Sequence, residues 1–175
     1  DAPIEYYFSD VTPMFFERAK ALFAEYDFVT FKAINLETPL APQLEDLDEA
    51  LFDIVLGANV LHAVSDLKQT FAQLNSVMRS GAMILLYELT NAQPWVDMSI
   101  GLIEGWGVFD DGIRTNTPLL SSKIWMDLLE GCGFESGHSF PEKHSAASVL
   151  GQHVIVAQKC HDADQSMSKA RLANA

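Results

Sequence analysis

The feature that most limits the fold is a nearly unbroken apolar run over residues 52–60, in which only Asp53 and Asn59 are polar. A short run of this kind is typical of a strand that is buried on both faces of a parallel sheet. Residues 83–89 repeat the pattern, again with a single acidic residue, Glu88. The sequence therefore predicts two buried strands that follow one another along the chain.

Amphipathic segments separate these strands from shorter ones. Helices are predicted over residues 13–26, 65–78 and 122–132, with Ser65 as a cap and Ser122 as the first residue of the third helix, and further strands over residues 4–9, 28–34 and 152–158. This alternation predicts an α/β fold with a doubly wound, mostly parallel sheet. Ligands bind at the carboxyl ends of the strands in such sheets, so residues at those ends are the candidates for a site.

Two such residues can do proton chemistry together. His62 follows the first buried strand and Glu88 lies near the end of the next, so adjacent parallel strands would bring them together. A carboxylate that accepts the Nδ1 proton of an imidazole leaves Nε2 free to act as a general base. Spacing alone equally allows a strand-end histidine without a catalytic role and a glutamate that caps a helix.

Composition excludes several classes of function. The formal net charge of −13 repels phosphate backbones and anionic lipids, which disfavours nucleic acid or a membrane surface as a partner. No apolar run approaches the length of a membrane span, and two isolated cysteines predict no disulfide framework, so we expect a cytoplasmic protein. The histidines other than His62 lack the spacing of metal ligands, and we predict no metal site.

Residues 52–63 resemble the fourth-strand motif of the C-methyltransferase domains of polyketide synthases, a branch of the class I S-adenosylmethionine-dependent methyltransferases. Three further segments, residues 85–90, 101–106 and 118–134, occur in that family's order and spacing, and residues 6–13 resemble its second strand. The resemblance covers most of residues 4–158. It implies a Rossmann-like sheet with an antiparallel C-terminal strand.

The resemblance also implies a reaction. In this family a His-Glu dyad matching His62 and Glu88 is the catalytic base, which removes the α-proton of a β-ketoacyl thioester on an acyl carrier protein. The resulting enolate takes the methyl group of S-adenosylmethionine. Trp106 matches the family's cover over the acyl site and is a substrate-binding candidate, although the three tryptophans at helical positions are otherwise expected in the core.

For the cofactor, Asp10 matches the acid that binds the ribose, and Asn35 stands where the family has an acid for the adenine amino group. An amide oxygen still accepts that hydrogen bond, without charge. Asn59, at a predicted strand end, is a third candidate. The family's first strand, its glycine-rich turn and the following helix are missing from the sequence, so we expect S-adenosylmethionine to bind this chain weakly or not at all.

The missing strand bears on domain organisation. We expect residues 1–160 to form a partial methyltransferase domain and residues 161–175 a polar tail or linker. In the family the first strand lies between the strand at Tyr6 and the strand at Phe52, so either residues before Asp1 supply it, which we favour, or these two strands pair directly. The glycines at 131, 133 and 137 follow a helix and are interpreted as a helix stop rather than a phosphate loop.

Three functions therefore compete. The first is a C-methyltransferase domain whose partners are an acyl carrier protein and neighbouring synthase domains. The second is a non-catalytic, methyltransferase-like structural or docking element of such a synthase, which the missing loop favours. The third is a free-standing methyltransferase for small hydroxylated substrates, which suits a His-Glu pair less well.

Overall fold

The computed structural model describes residues 3–47 and 51–161. The chain divides into two compact units, residues 1–46 and residues 47–175. Within the described residues each unit has its own sheet, with two strands in the first and four in the second. The direct pairing of the Tyr6 and Phe52 strands is therefore not found in the part of the chain that the structure describes. The predicted tail, residues 161–175, lies outside the described residues except for His161.

The first unit is built on two parallel strands. Its strands and helices are β1 (Tyr6–Asp10), α1 (Phe16–Leu22), β2 (Val29–Ala33) and α2 (Leu40–Gln43), with a 3-10 turn over Pro13–Phe15. The register places Asp10 beside Ala33, so both strands end at the same edge. The hydroxyl of Thr12 accepts a hydrogen bond from the Met14 amide, and the 3-10 turn leads directly into α1.

Phenylalanine rings fix α1 on this pair of strands. The ring of Phe8 lies 5.5 Å from that of Phe31 and 6.2 Å from that of Phe16, in the geometry that aromatic pairs prefer. The helix predicted to reach residue 26 ends at Leu22, because the chain turns after Phe23. Tyr26, which continued the helical spacing, packs on Phe23 from that turn.

The second unit contains a four-stranded sheet of order β3-β4-β6-β5. Its strands and helices are β3 (Phe52–Ala58), α3 (Leu67–Ser76), β4 (Met78–Leu89), α4 (Pro94–Asp97), α5 (Ser122–Gly131), β5 (Phe134–Phe140) and β6 (Gln152–Lys159), with 3-10 turns at Leu61–Ala63, Ile100–Leu102 and Ala146–Leu150. β3 pairs parallel with β4, and β6 pairs antiparallel with both β4 and β5. Three strands therefore run one way and the last runs against them, which confirms the expected antiparallel C-terminal strand.

The expectation that β3 is buried on both faces is wrong. Among the described strands β3 lies at an edge of its sheet and pairs only with β4, and the side chains of Ile54 and Leu56 are 56% and 57% exposed. In β4, which has a strand on each side, Ile84 and Leu86 are fully buried. An apolar run indicates a strand but not how many neighbours that strand has.

Several predicted boundaries also shift. Asp66 rather than Ser65 caps α3, through a 2.9 Å bond from the Gln69 amide, and Met78 belongs to β4. α5 begins at Ser122, as predicted, and Ser121 caps it. β5 begins within the glycine segment that we interpreted as a helix stop, directly after Gly133, whose positive φ turns the chain out of the helix.

The core of the second unit is centred on Phe71 of α3. Its ring makes edge contacts with Trp125 of α5, at 6.2 Å, and with Phe134 of β5, at 6.1 Å. These contacts join both long helices to the sheet. The expectation for the tryptophans holds only in part, because Trp125 is fully buried but Trp95 is 61% exposed.

Candidate active site

The candidate site begins where β3 ends, at Asn59. This residue takes a left-handed conformation (φ 50°), which asparagine tolerates better than most residues, and β3 therefore stops two residues earlier than predicted. Its amide donates to the carbonyl of Tyr87 over 2.7 Å, and its Oδ1 accepts from the amide of Leu89 over 3.0 Å. Asn59 thus joins the end of β3 to the end of β4 by two hydrogen bonds.

Glu88 of β4 is fully buried and has three hydrogen-bond donors around its carboxylate. Oε1 accepts from the backbone amides of Val60 and Leu61, at 3.1 and 3.0 Å. Oε2 lies 2.6 Å from Nδ1 of His62. The predicted approach of His62 and Glu88 at neighbouring strand ends is confirmed. Their catalytic role stays a prediction.

This arrangement sets the tautomer of His62. A carboxylate can only accept at Oε2, so Nδ1 carries the proton and Nε2 carries a lone pair. The imidazole is nearly buried, with 8% of the residue exposed. Its ring makes an edge contact with Trp106 at 5.5 Å, and Trp106 in turn packs against the cluster of Leu89, Val96 and Leu119. A buried imidazole with its proton fixed on Nδ1 can accept a second proton at Nε2.

Arg114 also contacts the His62 segment, a contact that no motif in the sequence indicates. Nη1 donates to the carbonyl oxygen of His62 over 2.8 Å, and Nη2 donates to that of Val64 over 2.7 Å. Its side chain is fully buried, with Asp111 Oδ2 at 2.8 Å from both Nε and Nη2. The ring of Phe109 lies 5.0 Å from the guanidinium carbon.

The pKa of Asp111 reflects this environment. Burial alone would raise the pKa of Asp111, but hydrogen bonds from the amides of Arg114 and Ile113, together with the Arg114 side chain, outweigh it and hold the pKa below its usual range. Asp111 is therefore a carboxylate that balances the buried charge of Arg114.

Two candidate cofactor residues lie at strand ends of the first unit. Asp10 is the last residue of β1, and its Oδ1 accepts from the amide of Thr12 over 2.9 Å. Asn35 lies two residues beyond β2, and its Oδ1 accepts from the amide of Glu37 over 2.9 Å. The amide of Ile34 donates to the carbonyl oxygen of Asp10, so the two strand ends are adjacent.

These residues fit a nucleoside in part. The second carboxylate oxygen of Asp10 remains for a ribose hydroxyl, which an ionised carboxylate binds well. The Oδ1 atom of Asn35 already has one donor, so an adenine amino group would have to share it. Asn59, in the second unit, uses its Oδ1 on Leu89. The assignment of all three to a cofactor stays a prediction.

Known proteins with similar sequences and folds are methyltransferases and polyketide synthases. Residues 1–84 match a family described as "Methyltransferase domain". Over 132 residues the chain is 35% identical to the non-reducing polyketide synthase esdpA of Penicillium shearii. The matched segment covers 75% of this chain but only 6% of the synthase.

Two solved structures carry the comparison further. The CurJ carbon methyltransferase is 34% identical with a TM-score of 0.82, over 89% of this chain and 42% of that one. The C-methyltransferase domain of the citrinin polyketide synthase is 29% identical with a TM-score of 0.78, over 91% of this chain and 40% of that one. This chain belongs to the polyketide synthase C-methyltransferase family.

Membership of the C-methyltransferase family settles the fold as the Rossmann-like methyltransferase sheet, as predicted. The chain spans about two fifths of the solved C-methyltransferase structures and a few per cent of the synthase, so it corresponds to one part of a much larger polypeptide in its relatives. Those relatives are multidomain synthases, in agreement with the predicted neighbouring domains.

A second buried histidine lies beside the dyad of this C-methyltransferase chain. His153 of β6 is directly opposite Glu88 in the antiparallel ladder. Its Nδ1 is 2.6 Å from the hydroxyl of Thr90, which donates to the carbonyl oxygen of Gly151 and so accepts from His153. Burial lowers the pKa of His153, which favours the neutral ring.

The described residues contain neither a cluster of metal ligands nor a membrane-spanning helix. Among residues 3–47 and 51–161 there is no group of three or more His, Cys, Asp or Glu side chains that could hold a metal ion. Over the same described ranges, none of the helices has the length and apolar character needed to cross a bilayer.

Proposed function

We propose that this chain is part of a domain that methylates the α-carbon of a β-ketoacyl thioester on an acyl carrier protein, with S-adenosylmethionine as the methyl donor. The observation that carries the proposal is the bond between His62 Nδ1 and Glu88 Oε2. A carbon nucleophile must first lose a proton, and this pair is a base of the kind that such a step needs.

His62 would take the α-proton. The electron pair of the carbon–hydrogen bond remains on the substrate as an enolate, which the neighbouring ketone and thioester stabilise, and the proton passes to Nε2. Glu88 stabilises the imidazolium that forms, because its carboxylate already holds Nδ1–H. When bound, S-adenosylmethionine supplies an electrophilic methyl group to the enolate carbon.

The remaining residues would bind and enclose the reactants. Asp10 would hold the ribose and Asn35 the adenine, with Asn59 at the end of β3 as a further candidate. Trp106 contacts the His62 ring and would cover the acyl chain, which excludes water from the enolate. The expected weak binding of the cofactor by this chain alone stays a prediction, so activity is best tested in the complete natural polypeptide that carries the sequence.

The test compares His62→Ala with wild type by intact mass spectrometry of the acyl carrier protein over time. Loss of the base should lower the rate at least about 100-fold while cofactor affinity, measured in parallel, stays nearly unchanged. Glu88→Gln keeps the shape of the side chain but loses its charge, so its rate should lie between the two. His138→Ala removes an exposed histidine and is the matched control.

Undiminished methylation by His62→Ala would overturn the proposed mechanism. If the wild-type polypeptide transfers no methyl group to any carrier-bound β-ketoacyl chain, the proposal fails as a whole. The non-catalytic structural element then becomes the better description.

A further inference from the structure

We infer that Arg114 is a positioning residue for His62, and that it holds the carbonyl groups of the catalytic turn while Glu88 holds its amides. This inference rests on the proposed function for its kinetic consequence. Its structural part, the control of the His62 ring, can be measured without turnover. The inference starts from three backbone carbonyl groups that one side chain binds, those of His62, Val64 and Ser65.

The turn needs such a partner. The 3-10 turn Leu61–Ala63 is only three residues long, and its internal backbone bonds use the carbonyl groups of Val60 and Leu61. The carbonyl oxygen of His62 lies beyond those bonds, in a buried place where an unpaired acceptor would be costly. Arg114 reaches it from 52 residues further along the chain.

The side chain must be arginine to do this. A guanidinium presents five N–H donors in a rigid plane, whereas a lysine presents three donors from a single nitrogen. Arg114 uses that plane in two directions, towards Asp111 on one edge and towards the turn on the other. Asp111 neutralises the buried charge, and Phe109 covers the guanidinium.

The turn is therefore bound through both its amide groups and its carbonyl groups. Glu88 binds the amides of Val60 and Leu61 and the ring of His62, while Arg114 binds the carbonyl group of His62 itself. If the carbonyl side is released, the peptide after His62 can rotate and the ring can leave Oε2. Displacement of a catalytic group by about 1 Å can cost roughly 100-fold in rate.

The first experiment is ¹⁵N NMR of the His62 imidazole in the 175-residue chain, which reports which ring nitrogen carries the proton. Wild type should show the Nδ1–H form. Arg114→Lys keeps the charge but not the planar set of donors, and it should give a mixture of tautomers. Arg79→Lys is the matched control, because Arg79 also donates to a backbone carbonyl group, that of Leu51, and lies at the start of β4 whereas Glu88 lies near its end.

The second experiment measures methylation in the complete polypeptide. Arg114→Lys should lower kcat about 10- to 100-fold, with the KM for the cofactor within about twofold of wild type, while Arg79→Lys stays near wild type. A variant that only weakens the fold would lower the thermal midpoint and leave the tautomer and kcat of the folded fraction unchanged. That outcome would overturn the inference.

Each failure has a distinct signature. If wild type does not methylate, the proposed function fails, and the tautomer measurement still decides whether Arg114 positions His62. If Arg114→Lys does not fold, NMR of the Arg114 guanidinium in the wild-type chain provides the test instead. Slowly rotating Nη groups with separate resonances and nuclear Overhauser contacts to the His62 backbone would support the inference, and a single averaged signal would overturn it.

Discussion

The loop after β2 and the loop after β3 are held in place by hydrogen-bond partners at very different distances along the chain. Both follow a parallel strand, and in both an asparagine Oδ1 accepts from a backbone amide. In the loop after β2 the partners are local: Glu37 binds Asn35, and the side chain of Gln43 binds both the amide and the carbonyl group of Asn35. In the loop after β3 the partners come from far along the chain.

The difference shows which loop is self-supporting. The loop after β2 contains its own hydrogen-bond partners within eight residues of Asn35. The turn that carries His62 depends on Glu88, 26 residues away, and on Arg114, 52 residues away. A turn built from remote partners is placed with respect to the whole unit, which is what a catalytic group requires. It is also more vulnerable to single substitutions outside the loop.

Glu88→Ala should break the remote arrangement with the largest effect. It leaves the buried amide of Leu61, the part-buried amide of Val60 and the imidazole N–H without an acceptor, so the free energy of unfolding of the second unit should fall by about 3–5 kcal/mol. Chemical denaturation followed by tryptophan fluorescence measures this, since all three tryptophans lie in that unit. Glu104→Ala, at an exposed residue, is the control and should stay within about 0.5 kcal/mol. Equal costs for the two variants would contradict the comparison.

Gln43→Ala should loosen the local arrangement by a smaller amount. The lost bond to the Asn35 amide is part-buried and worth about 1 kcal/mol, so hydrogen exchange at that amide should speed up roughly fivefold. The amides of Val60 and Leu61 should exchange at their wild-type rates. Faster exchange at all three would show that the two loops are coupled.

The smallest expected effect is a pH dependence of stability that is specific to the second unit. All five histidines lie in the second unit, and burial lowers the pKa of His153 there. The unfolded chain then binds a proton more readily than the folded one, so His153 reduces stability as the pH falls below about 6.5. His153→Gln should flatten that slope, as measured by denaturation at several pH values. An unchanged slope would remove His153 as its source.

The sequence was sufficient to predict the dyad. His62 follows one apolar run and Glu88 lies near the end of the next, and parallel neighbours place their carboxyl ends at one edge, so the approach needed no knowledge of the loops. Arg114 could not be predicted in this way. Its partners on the turn are carbonyl groups, which every residue has, so no complementary side chain marks them in the sequence.

The errors in the fold have a similar cause. Both Ser65 and Asp66 are good helix caps, and only the path of the chain into α3 selects Asp66. β3 ends before Asn59 because of a backbone conformation that asparagine permits but does not require. The exposure of Ile54 depends on which strands lie beside β3, a property of the whole sheet rather than of the run of residues itself.

The position of β6 has a consequence for how the chain folds during translation. β6 is the last described strand in the sequence, yet it lies inside the sheet between β4 and β5, and β5 pairs with no other described strand. A nascent chain that ends before Gln152 therefore holds β4 and β5 apart with open edges. The sheet that supports Glu88 can therefore be completed only after Lys159 has left the ribosome.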